Sequence, residues 1–399
     1  MKHLAIMNFD ISPSQRDLLA QADKACQALR PSEDHAYMTR TFNDKAGAIL
    51  SKFNLLGVPI DEKFGGLGAD TLSWVLVLQR IGKESTALRT FLSSHVSLGL
   101  QTIHQWGSDD QKRKYLPLGC RGQKMFCFAL NEDGACSDIE SMATTYESRG
   151  KGKGFVLTGA KSWISNATSA DTIITFARNK KTGQYSAFIV DRKAKGVSAT
   201  TEGNRVGLHS ADIGHLQFKQ VQIGQEALLG VEGSGLHIAY SALLNERLAV
   251  AAGCVGAMED CLGEATAHAK TVMAFGKEIG KHQLVQRHLA VMSSNVEAAK
   301  WLLYRAGVEK HHYAEHPNEK FLPYVDGLVC KAKWFSTTTG QDCASRAMQV
   351  FGEPGYSVKN RVGRHFADLK LLSVLDGSSE IMEQKIAISL LGPEYKAFR

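Results

Sequence analysis

The residue types that most often carry catalysis are present in this sequence, but not in the usual catalytic motifs. The 14 histidines include no His-Glu-x-x-His pair, and the 8 cysteines include no Cys-x-x-Cys pair. The chain also lacks a Gly-x-Ser-x-Gly nucleophile motif, a Gly-x-Gly-x-x-Gly fingerprint after a strand and a Gly-x-x-x-x-Gly-Lys-Ser/Thr phosphate loop. We therefore expect no metal site, and any nucleotide cofactor must bind outside the Rossmann mode.

The composition is that of a globular protein. The 399 residues are 44% hydrophobic and 22% charged, so a large core can offset the chain entropy, and the length suggests two or three domains. The scattered cysteines are expected to be buried or free thiols in a reducing compartment. The N-terminal residues lack the apolar core of a signal peptide, and no stretch is expected to span a membrane. The sequence thus predicts a cytoplasmic protein.

The formal net charge of +7 has two interpretations. One is simple solubility, because acidic and basic residues are interspersed along the chain. The other is attraction of an anionic partner such as a phosphorylated cofactor, coenzyme A or an acidic carrier protein. Nucleic acid is a weaker expectation, since no basic run is interleaved with aromatic residues.

The first third of the chain has a helical pattern. Ser12-Pro13 is typical of a helix start, and Pro31, after a periodic apolar run, is expected to end that helix. Pro59 and three glycines at 65, 66 and 68 predict a loop over residues 59–68, and residues 107–112 predict a polar connector. Further helical runs are predicted over 37–55, 71–84 and 91–106.

The pattern changes near residue 124 and again after residue 233. Short apolar runs rich in β-branched residues predict strands, with no helical run between them, at 125–130, 154–158, 171–177, 185–190 and 215–221. Long helical runs then predict an antiparallel bundle at about 236–268, 281–313, 322–351 and 379–391. We therefore expect an α+β protein with a helical domain (1–123), an antiparallel β-barrel or sandwich domain (124–232) and a C-terminal four-helix bundle (233–399).

Ordered segments along nearly the whole chain resemble the acyl-CoA dehydrogenase family of flavoproteins. The resemblance is carried by the loop 59–70, Phe128-Ala129-Leu130-Asn131-Glu132 with Ser137-Asp138, Leu157-Thr158-Gly159-Ala160-Lys161-Ser162-Trp163-Ile164-Ser165-Asn166, Asn245-Glu246-Arg247-Leu248, Met273-Ala274-Phe275-Gly276, Gln349-Val350-Phe351-Gly352 and Asp376-Gly377-Ser378-Ser379-Glu380-Ile381. These segments follow one another in the order that the family has.

The resemblance implies an FAD-dependent oxidoreductase that introduces an α,β double bond into an acyl thioester. A carboxylate would remove the α-proton while a hydride leaves the β-carbon for flavin N5, since no side chain accepts two electrons in this way. The thioester would be carried by coenzyme A or an acyl carrier protein, and an electron-transfer partner or oxygen would reoxidise the flavin. Two alternatives stay open: a flavin oxidase or monooxygenase on the same fold, and an inactive flavin-binding or nucleic-acid-binding relative.

The resemblance also implies residues for the cofactor and the thioester. Those expected near the isoalloxazine or its loop are Phe128, Leu130, Asn131, Ser137, Trp163, Ile164, Ser165, Ser378 and Glu380. Those expected near the thioester are Ser137, Arg247 and Gly377. Those expected to hold the adenine and pyrophosphate, partly from a neighbouring subunit, are Phe275, Gln283, Gln349 and Gly352. This last set implies a homo-oligomer, a dimer or a tetramer.

Two carboxylates compete for the role of base in this resemblance. Asp376 occupies the position where most members carry glutamate, and Glu246 the helix position used by the isovaleryl-CoA and long-chain branches. Asp376 reaches roughly 1.3–1.5 Å less far than glutamate, and a misplacement of about 1 Å can cost about 100-fold in rate. Glu246 and Arg247 could instead form an ion pair on a helix surface. If both carboxylates share one pocket, we expect one to be the base and the other to tune it.

Five positions depart from the family pattern: Asp133, Cys136, Val272, Glu353 and Ala367. Val272 stands where an arginine usually contacts the flavin pyrophosphate. The loss of one charge-assisted contact weakens binding by about 1.5–3 kcal/mol. These departures predict a specialised member whose FAD is held less tightly.

Overall fold

The structure is a computed structural model that describes residues 10–318 and 320–397. The expectations for residues 1–9 lie outside the described residues. The first third is helical: α1 (Pro13–Thr39), α2 (Ala46–Lys52), α3 (Thr71–Glu84), α4 (Thr86–Ser93), α5 (Gln101–Trp106) and α6 (Asp109–Cys120). A π-helical segment, Ser94–Leu100, joins α4 to α5. Such wide turns occur mostly near functional sites.

Helix α1 begins as predicted but does not end at Pro31. The Ser12 hydroxyl accepts a hydrogen bond from the Gln15 amide, which starts the helix. Beyond Pro31 the helix continues to Thr39, because its second half is fixed by tertiary contacts. Tyr37 donates to Asp368 at 2.8 Å, and the neighbouring turn is tied to the rest of the protein through Glu33. These contacts outweigh the local cost of an internal proline.

Two other predictions in this region need correction. The helix predicted over 37–55 is broken, since Arg40 adopts a left-handed conformation (φ 56°) and ends α1 before α2 begins. The connector predicted over 107–112 is largely the first turn of α6. Ser108 caps this helix by accepting from the Gln111 amide, and the Gln111 side chain donates to the carbonyls of Glu226 and Leu228.

The middle of the chain forms an eight-stranded sheet. Its strands are β1 (Phe126–Ala129), β2 (Thr145–Ser148), β3 (Phe155–Ser165), β4 (Thr172–Asn179), β5 (Tyr185–Asp191), β6 (Val197–Thr201), β7 (Ile213–Ile223) and β8 (Leu228–Leu229). They lie in the order β6-β7-β3-β2-β4-β5-β8, and β1 pairs with β4. The sheet is antiparallel except where β4 runs parallel to β1 and to β2, so it is mixed where a fully antiparallel one was predicted.

The five predicted strands are all present, and three more were missed. β2, β6 and β8 are short or largely exposed, so they lack the apolar runs by which strands were predicted. β4 is buried on both faces: Ile173 packs into one hydrophobic cluster and Ile174 into the other. The hydrophobic cluster around Ile174 also contains side chains from α5, from the π-helical segment and from the first turns of the long helix that follows the sheet. Helices on both sides of the sheet in the chain therefore cover one of its faces.

The remainder of the described chain is a helical bundle: α7 (Gly235–Thr271), α8 (Gln283–Glu315), α9 (Leu322–Phe351), α10 (Arg361–Leu372) and α11 (Ser379–Leu391). The four predicted helices are present, and α10 was missed. A hairpin of β9 (Met273–Ala274) and β10 (Lys277–Glu278) joins α7 to α8. By length and composition alone α7 could cross a membrane, but its most apolar window is 83% buried inside the protein. This helix is therefore the centre of the bundle.

Helices α3 and α7 approach each other unusually closely at Gly256. A Cβ atom at this position would lie 1.9 Å from the carbonyl oxygen of Gln79 and 2.6 Å from the amide of Lys83. Both obstructing atoms belong to the α3 backbone, which cannot move without displacing the helix. Only glycine fits, and the contact sets the distance between α3 and α7.

We expect Gly256→Ala to destabilise the protein by about 3 kcal/mol or more, because an overpacked helix contact must be forced apart. The measurement is the free energy of unfolding in urea. The matched control is Gly263→Ala on the same helix, where a Cβ meets nothing within 4 Å. There alanine should stabilise by about 0.5–1 kcal/mol through its higher helix propensity. Equal stabilities for the two variants would contradict this account of the α3–α7 contact.

Candidate active site

A cavity of about 430 Å³ lies where the N-terminal helices, the sheet and the bundle meet. Its wall combines α4 and the π-helical segment, the ends of β1 and β3, the N-terminal third of α7, and the segment between α10 and α11. Eleven of the predicted site residues line it: Phe128, Leu130, Asn131, Ser137, Trp163, Ile164, Ser165, Glu246, Asp376, Gly377 and Ser378. The structure thus brings together residues from separate parts of the chain.

Trp163 reaches the cavity because β3 is irregular at this point. The pairing of β3 with β7 shifts between Lys161 and Ile164, and Trp163 takes a positive φ of 59°. This conformation turns the indole out of the regular alternation, and it is 47% exposed. Trp163 is therefore not an ordinary strand tryptophan of the core. It offers a flat apolar surface at the cavity.

A buried ion pair holds the chain segment that follows β1. Lys161 Nζ donates to Glu132 Oε1 at 2.7 Å and to the Leu130 carbonyl at 3.0 Å. The Glu132 carboxylate also accepts from the amides of Ala143 and Thr144. Burial alone would raise the pKa of Glu132, but the Lys161 ammonium and these hydrogen bonds outweigh it, so that pKa is lowered. The pair fixes the cavity-lining segment of Leu130 against β3.

The backbone around Asp376 is held by two buried cations. Lys333 Nζ donates to the carbonyls of Leu375 and Gly377, and Arg247 Nε donates to the carbonyl of Asp376 at 3.1 Å. Three successive carbonyl groups are therefore bound by side chains of α9 and α7. Asp376 itself adopts a left-handed conformation with a φ of 55°. The cationic contacts hold this segment in a conformation that is uncommon for a residue other than glycine.

The carboxylate of Asp376 lines the cavity and is free to react. It forms no hydrogen bond or ion pair with any residue that the structure describes, although Lys333, Arg89 and Arg247 are near enough to attract it. Burial raises the pKa of Asp376, and the three cations only partly offset this effect. A raised pKa makes the ionised carboxylate a stronger base.

Glu246 lies deeper and is already engaged. It is 2% exposed, and its Oε1 accepts from Arg89 Nη1 at 3.0 Å and from the Ser93 hydroxyl at 2.7 Å. Burial and the nearby charge of Asp376 raise the pKa of Glu246. The alternative of a surface ion pair with Arg247 is wrong, because Arg247 is also buried and is turned toward the carbonyl of Asp376.

The sequence analysis missed Arg89, Ser93 and Lys333. The sequence contained one signal for Arg89: apart from histidines, it is the only charged residue between Glu84 and Asp109. In the structure, all residues of α4 around it are buried. Lys333 lies among apolar residues of α9 and is fully buried. Neither residue belongs to a motif, so its role becomes visible only from its contacts.

Six predicted residues do not line the cavity. Arg247 lies directly behind it, and Glu380 is exposed in the first turn of α11. The other four, predicted to hold the adenine and pyrophosphate partly from a neighbouring subunit, are Phe275, Gln283, Gln349 and Gly352. Each of these four is exposed on the bundle, and Phe275 is 96% exposed. Within one chain, the structure does not bring this set to the cavity.

Comparisons with known proteins agree over the whole described chain. The N-terminal, middle and C-terminal domain models of acyl-CoA dehydrogenase match residues 12–123, 127–221 and 233–391. An acyl-CoA dehydrogenase of Bacillus subtilis (strain 168) is 32% identical over 379 residues, which cover 93% of this chain and 96% of that protein.

Two solved structures are similar to the whole chain. The butyryl-CoA dehydrogenase from Megasphaera elsdenii has a TM-score of 0.91 and 29% identity, covering 96% of this chain and 100% of that one. The prolyl acyl carrier protein oxidase AnaB has a TM-score of 0.88 and 27% identity, with the same coverage.

The chain belongs to the acyl-CoA dehydrogenase family. It is an FAD-dependent oxidoreductase that acts on the CH–CH group of an acyl thioester, as predicted. The residues present fit the flavin: Phe128, Leu130 and Ile164 give the cavity apolar walls, and Trp163 adds an exposed aromatic face. A polar group is available beside them at Ser165. The three-part fold and the choice of cofactor are thereby confirmed.

We expect Lys161→Met to destabilise the protein by about 3–5 kcal/mol and to lower its FAD content, because Glu132 would be left buried without its partner. The measurements are the free energy of unfolding and the flavin-to-protein absorbance ratio. The control is Lys180→Met, which breaks the exposed Lys180–Glu147 pair of the same sheet and should change stability by less than about 0.5 kcal/mol. A Lys161→Met variant as stable as this control would refute the role of the buried pair.

Proposed function

We propose that Asp376 is the base that removes the α-proton of the acyl thioester. The proposal rests on one observation: the Asp376 carboxylate lines the cavity without a hydrogen-bond partner among the described residues, while the backbone on both sides of it is bound by Lys333 and Arg247. A base must be held in place and yet have a free oxygen. Asp376 meets both conditions.

Glu246 meets these two requirements for a base, a fixed position and a free oxygen, less well than Asp376. One of its carboxylate oxygens is already bound to Arg89 and Ser93, and proton uptake would weaken the pairing with a fully buried guanidinium. The two carboxylates are close enough for their charges to interact. We therefore assign Glu246 a supporting role, in which it balances the charge of Arg89 beside the base.

The remaining roles follow from position in the cavity. FAD supplies the acceptor for the hydride when it is bound. We assign contact with the isoalloxazine to Phe128, Leu130, Asn131, Trp163, Ile164, Ser165 and Ser378, and contact with the thioester arm to Ser137 and Gly377. Arg247 acts as a positioning residue through the carbonyl of Asp376. The apolar walls exclude water, which keeps the pKa of Asp376 raised.

The carrier of the acyl group is coenzyme A or an acyl carrier protein. Both are anionic and suit the net charge of +7, and similar proteins act on each: one is a butyryl-CoA dehydrogenase and another a prolyl acyl carrier protein oxidase. We propose that an electron-transferring flavoprotein reoxidises the flavin, with oxygen as the alternative acceptor. All eight cysteines are free, which supports a cytoplasmic setting.

We also propose that the protein is a homo-oligomer with domains at 1–123, 124–232 and 233–399. The matched family segments, 12–123, 127–221 and 233–391, support these boundaries. Phe275, Gln283, Gln349 and Gly352, which are exposed in the single chain, would face the FAD of a neighbouring subunit. Val272 and Met273, close to Phe275 in the chain, are also exposed, and a group of exposed apolar side chains, unlike a single one, supports a covered position.

We expect Asp376→Asn to slow flavin reduction by an acyl thioester at least about 1,000-fold, and Glu246→Gln to slow it about 10- to 100-fold. Asparagine keeps the size of the side chain, and the contacts of Lys333 and Arg247 go to backbone carbonyls, so the segment should stay in place. The measurement is the decrease of flavin absorbance near 450 nm in a single turnover under nitrogen.

The FAD content and thermal midpoint of both variants serve as controls for folding. A larger effect of Glu246→Gln than of Asp376→Asn would transfer the role of base to Glu246. If neither variant slows the reaction, both assignments fail.

We expect Phe275→Asp to reduce FAD affinity at least about tenfold and to shift the protein toward smaller assemblies, because a buried intersubunit aromatic contact is worth well over 1.4 kcal/mol. The measurements are FAD titration and mass determination by light scattering. Val231→Asp is the control, since Val231 is also highly exposed but lies between the sheet and α7. A Phe275→Asp variant that assembles and binds FAD as the Val231→Asp variant does would exclude the proposed contact.

A further inference from the structure

One wall of the cavity carries a polar cluster whose hydrogen-bonding groups are only partly used by contacts within the protein. The cluster consists of Arg89, Ser93, Ser94 and Glu246, and each of these side chains is nearly inaccessible to water. Arg89 and Ser93 come from α4, Ser94 begins the π-helical segment, and Glu246 comes from α7. Three of the four, Arg89, Ser94 and Glu246, line the cavity.

The hydrogen bonding of this cluster is incomplete. Arg89 Nη1 is bound by Glu246 Oε1 and Ser93, but Arg89 Nη2 and Glu246 Oε2 have no partner among the residues that the structure describes. The Nε atom of Arg89 is also without a partner, so the cluster keeps unused donors on Arg89 and an unused acceptor on Glu246, whose Oε1 is bound to the same guanidinium. Buried polar atoms without partners are destabilising, and a hydrocarbon chain against this wall would leave them so.

The unused atoms define the group that would satisfy them. That group must accept from the guanidinium and donate to the carboxylate, and a hydroxyl does both. A methyl group does neither. A carboxylate only accepts and would face the negative charges of Glu246 and Asp376, whereas an ammonium only donates and would face Arg89. Of these four acyl substituents, only a neutral hydroxyl both accepts from Arg89 and donates to Glu246.

We infer that the natural substrate carries a short acyl group with a hydroxyl, which binds between Arg89 and Glu246. The group must be short because the cavity of about 430 Å³ is shared by the flavin ring and the acyl chain. The inference rests on the proposed function of the same cavity and specifies its substrate class. Arg89 and Glu246 become residues that determine specificity.

The test compares pairs of pantetheine thioesters, because coenzyme A and acyl carrier proteins present the same pantetheine arm. Each pair consists of a 3-, 4- or 5-hydroxyacyl thioester and the analogue in which methyl replaces the hydroxyl. Succinyl and 4-aminobutyryl thioesters supply the carboxylate and the ammonium. Affinity is measured by calorimetry on the FAD-loaded Asp376→Asn variant, and flavin reduction is measured on the unmodified protein under nitrogen.

We expect at least one hydroxyacyl thioester to bind at least 10-fold more tightly than its methyl analogue and than both charged thioesters. The Arg89→Met/Glu246→Leu double variant, which replaces the buried pair with apolar side chains of similar size, should bind the methyl analogue at least as tightly as the hydroxyacyl thioester. Thermal unfolding and FAD content check that this variant is folded. If it is not, the pairs measured on the Asp376→Asn variant decide alone.

The possible outcomes distinguish failure of the hydroxyl inference from failure of the proposed function on which it rests. Equal or tighter binding of the methyl analogue at every chain length, or a preference for a charged thioester, overturns the hydroxyl inference. If thioesters nevertheless reduce the flavin of the unmodified protein, the proposed function stands. If no thioester reduces the flavin, the proposed function fails, and the affinity ratios still decide the inference.

Discussion

The contact between two buried cations and the backbone carbonyls of residues 375–377 is the interaction on which the site depends. Lys333 and Arg247 come from two helices of the bundle, and together they bind three consecutive peptide groups. Carbonyl groups bind a cation without neutralising it, so both charges remain available to the neighbouring carboxylate. The segment is held by its backbone, and the side chain of Asp376 is left free for chemistry.

The same helix contacts the proposed base and the polar cluster of Arg89, Ser93, Ser94 and Glu246 through adjacent residues. Arg247 of α7 supports Asp376, while Glu246, one residue earlier, pairs with Arg89 from α4. Two cations and two carboxylates thus lie close together in a water-poor region, where each charge depends on the others. All four charged side chains, and not Asp376 alone, determine the electrostatic environment of the cavity.

The sequence was sufficient for the family, the helix–sheet–helix order and half of the residues that line the cavity, because ordered motifs such as Leu157–Asn166 identify positions without any knowledge of contacts. The sequence was insufficient where the role of a residue depends on a contact with a residue far away in the chain. Arg89 and Glu246 are 157 residues apart, and only the packing of α4 on α7 brings them together. The end of α1 was wrongly predicted at Pro31 for a similar reason, because tertiary contacts at Tyr37 outweigh the local effect of a helix-breaking residue. The role proposed for the exposed Phe275 requires a second copy of the chain, which contacts within one chain do not reveal.

The absence of a side chain at Gly253 of α7 has a consequence for how such proteins diversify. A Cβ there would lie 2.7–2.8 Å from the Cγ, Cδ and Nε atoms of Arg89, so the arginine stem occupies the space that glycine leaves. Room for the guanidinium is thus created on the opposite helix, away from the reacting atoms. In related sequences, residues 89 and 253 should therefore vary as a pair, because a Cβ atom at position 253 and the arginine stem at position 89 compete for the same space.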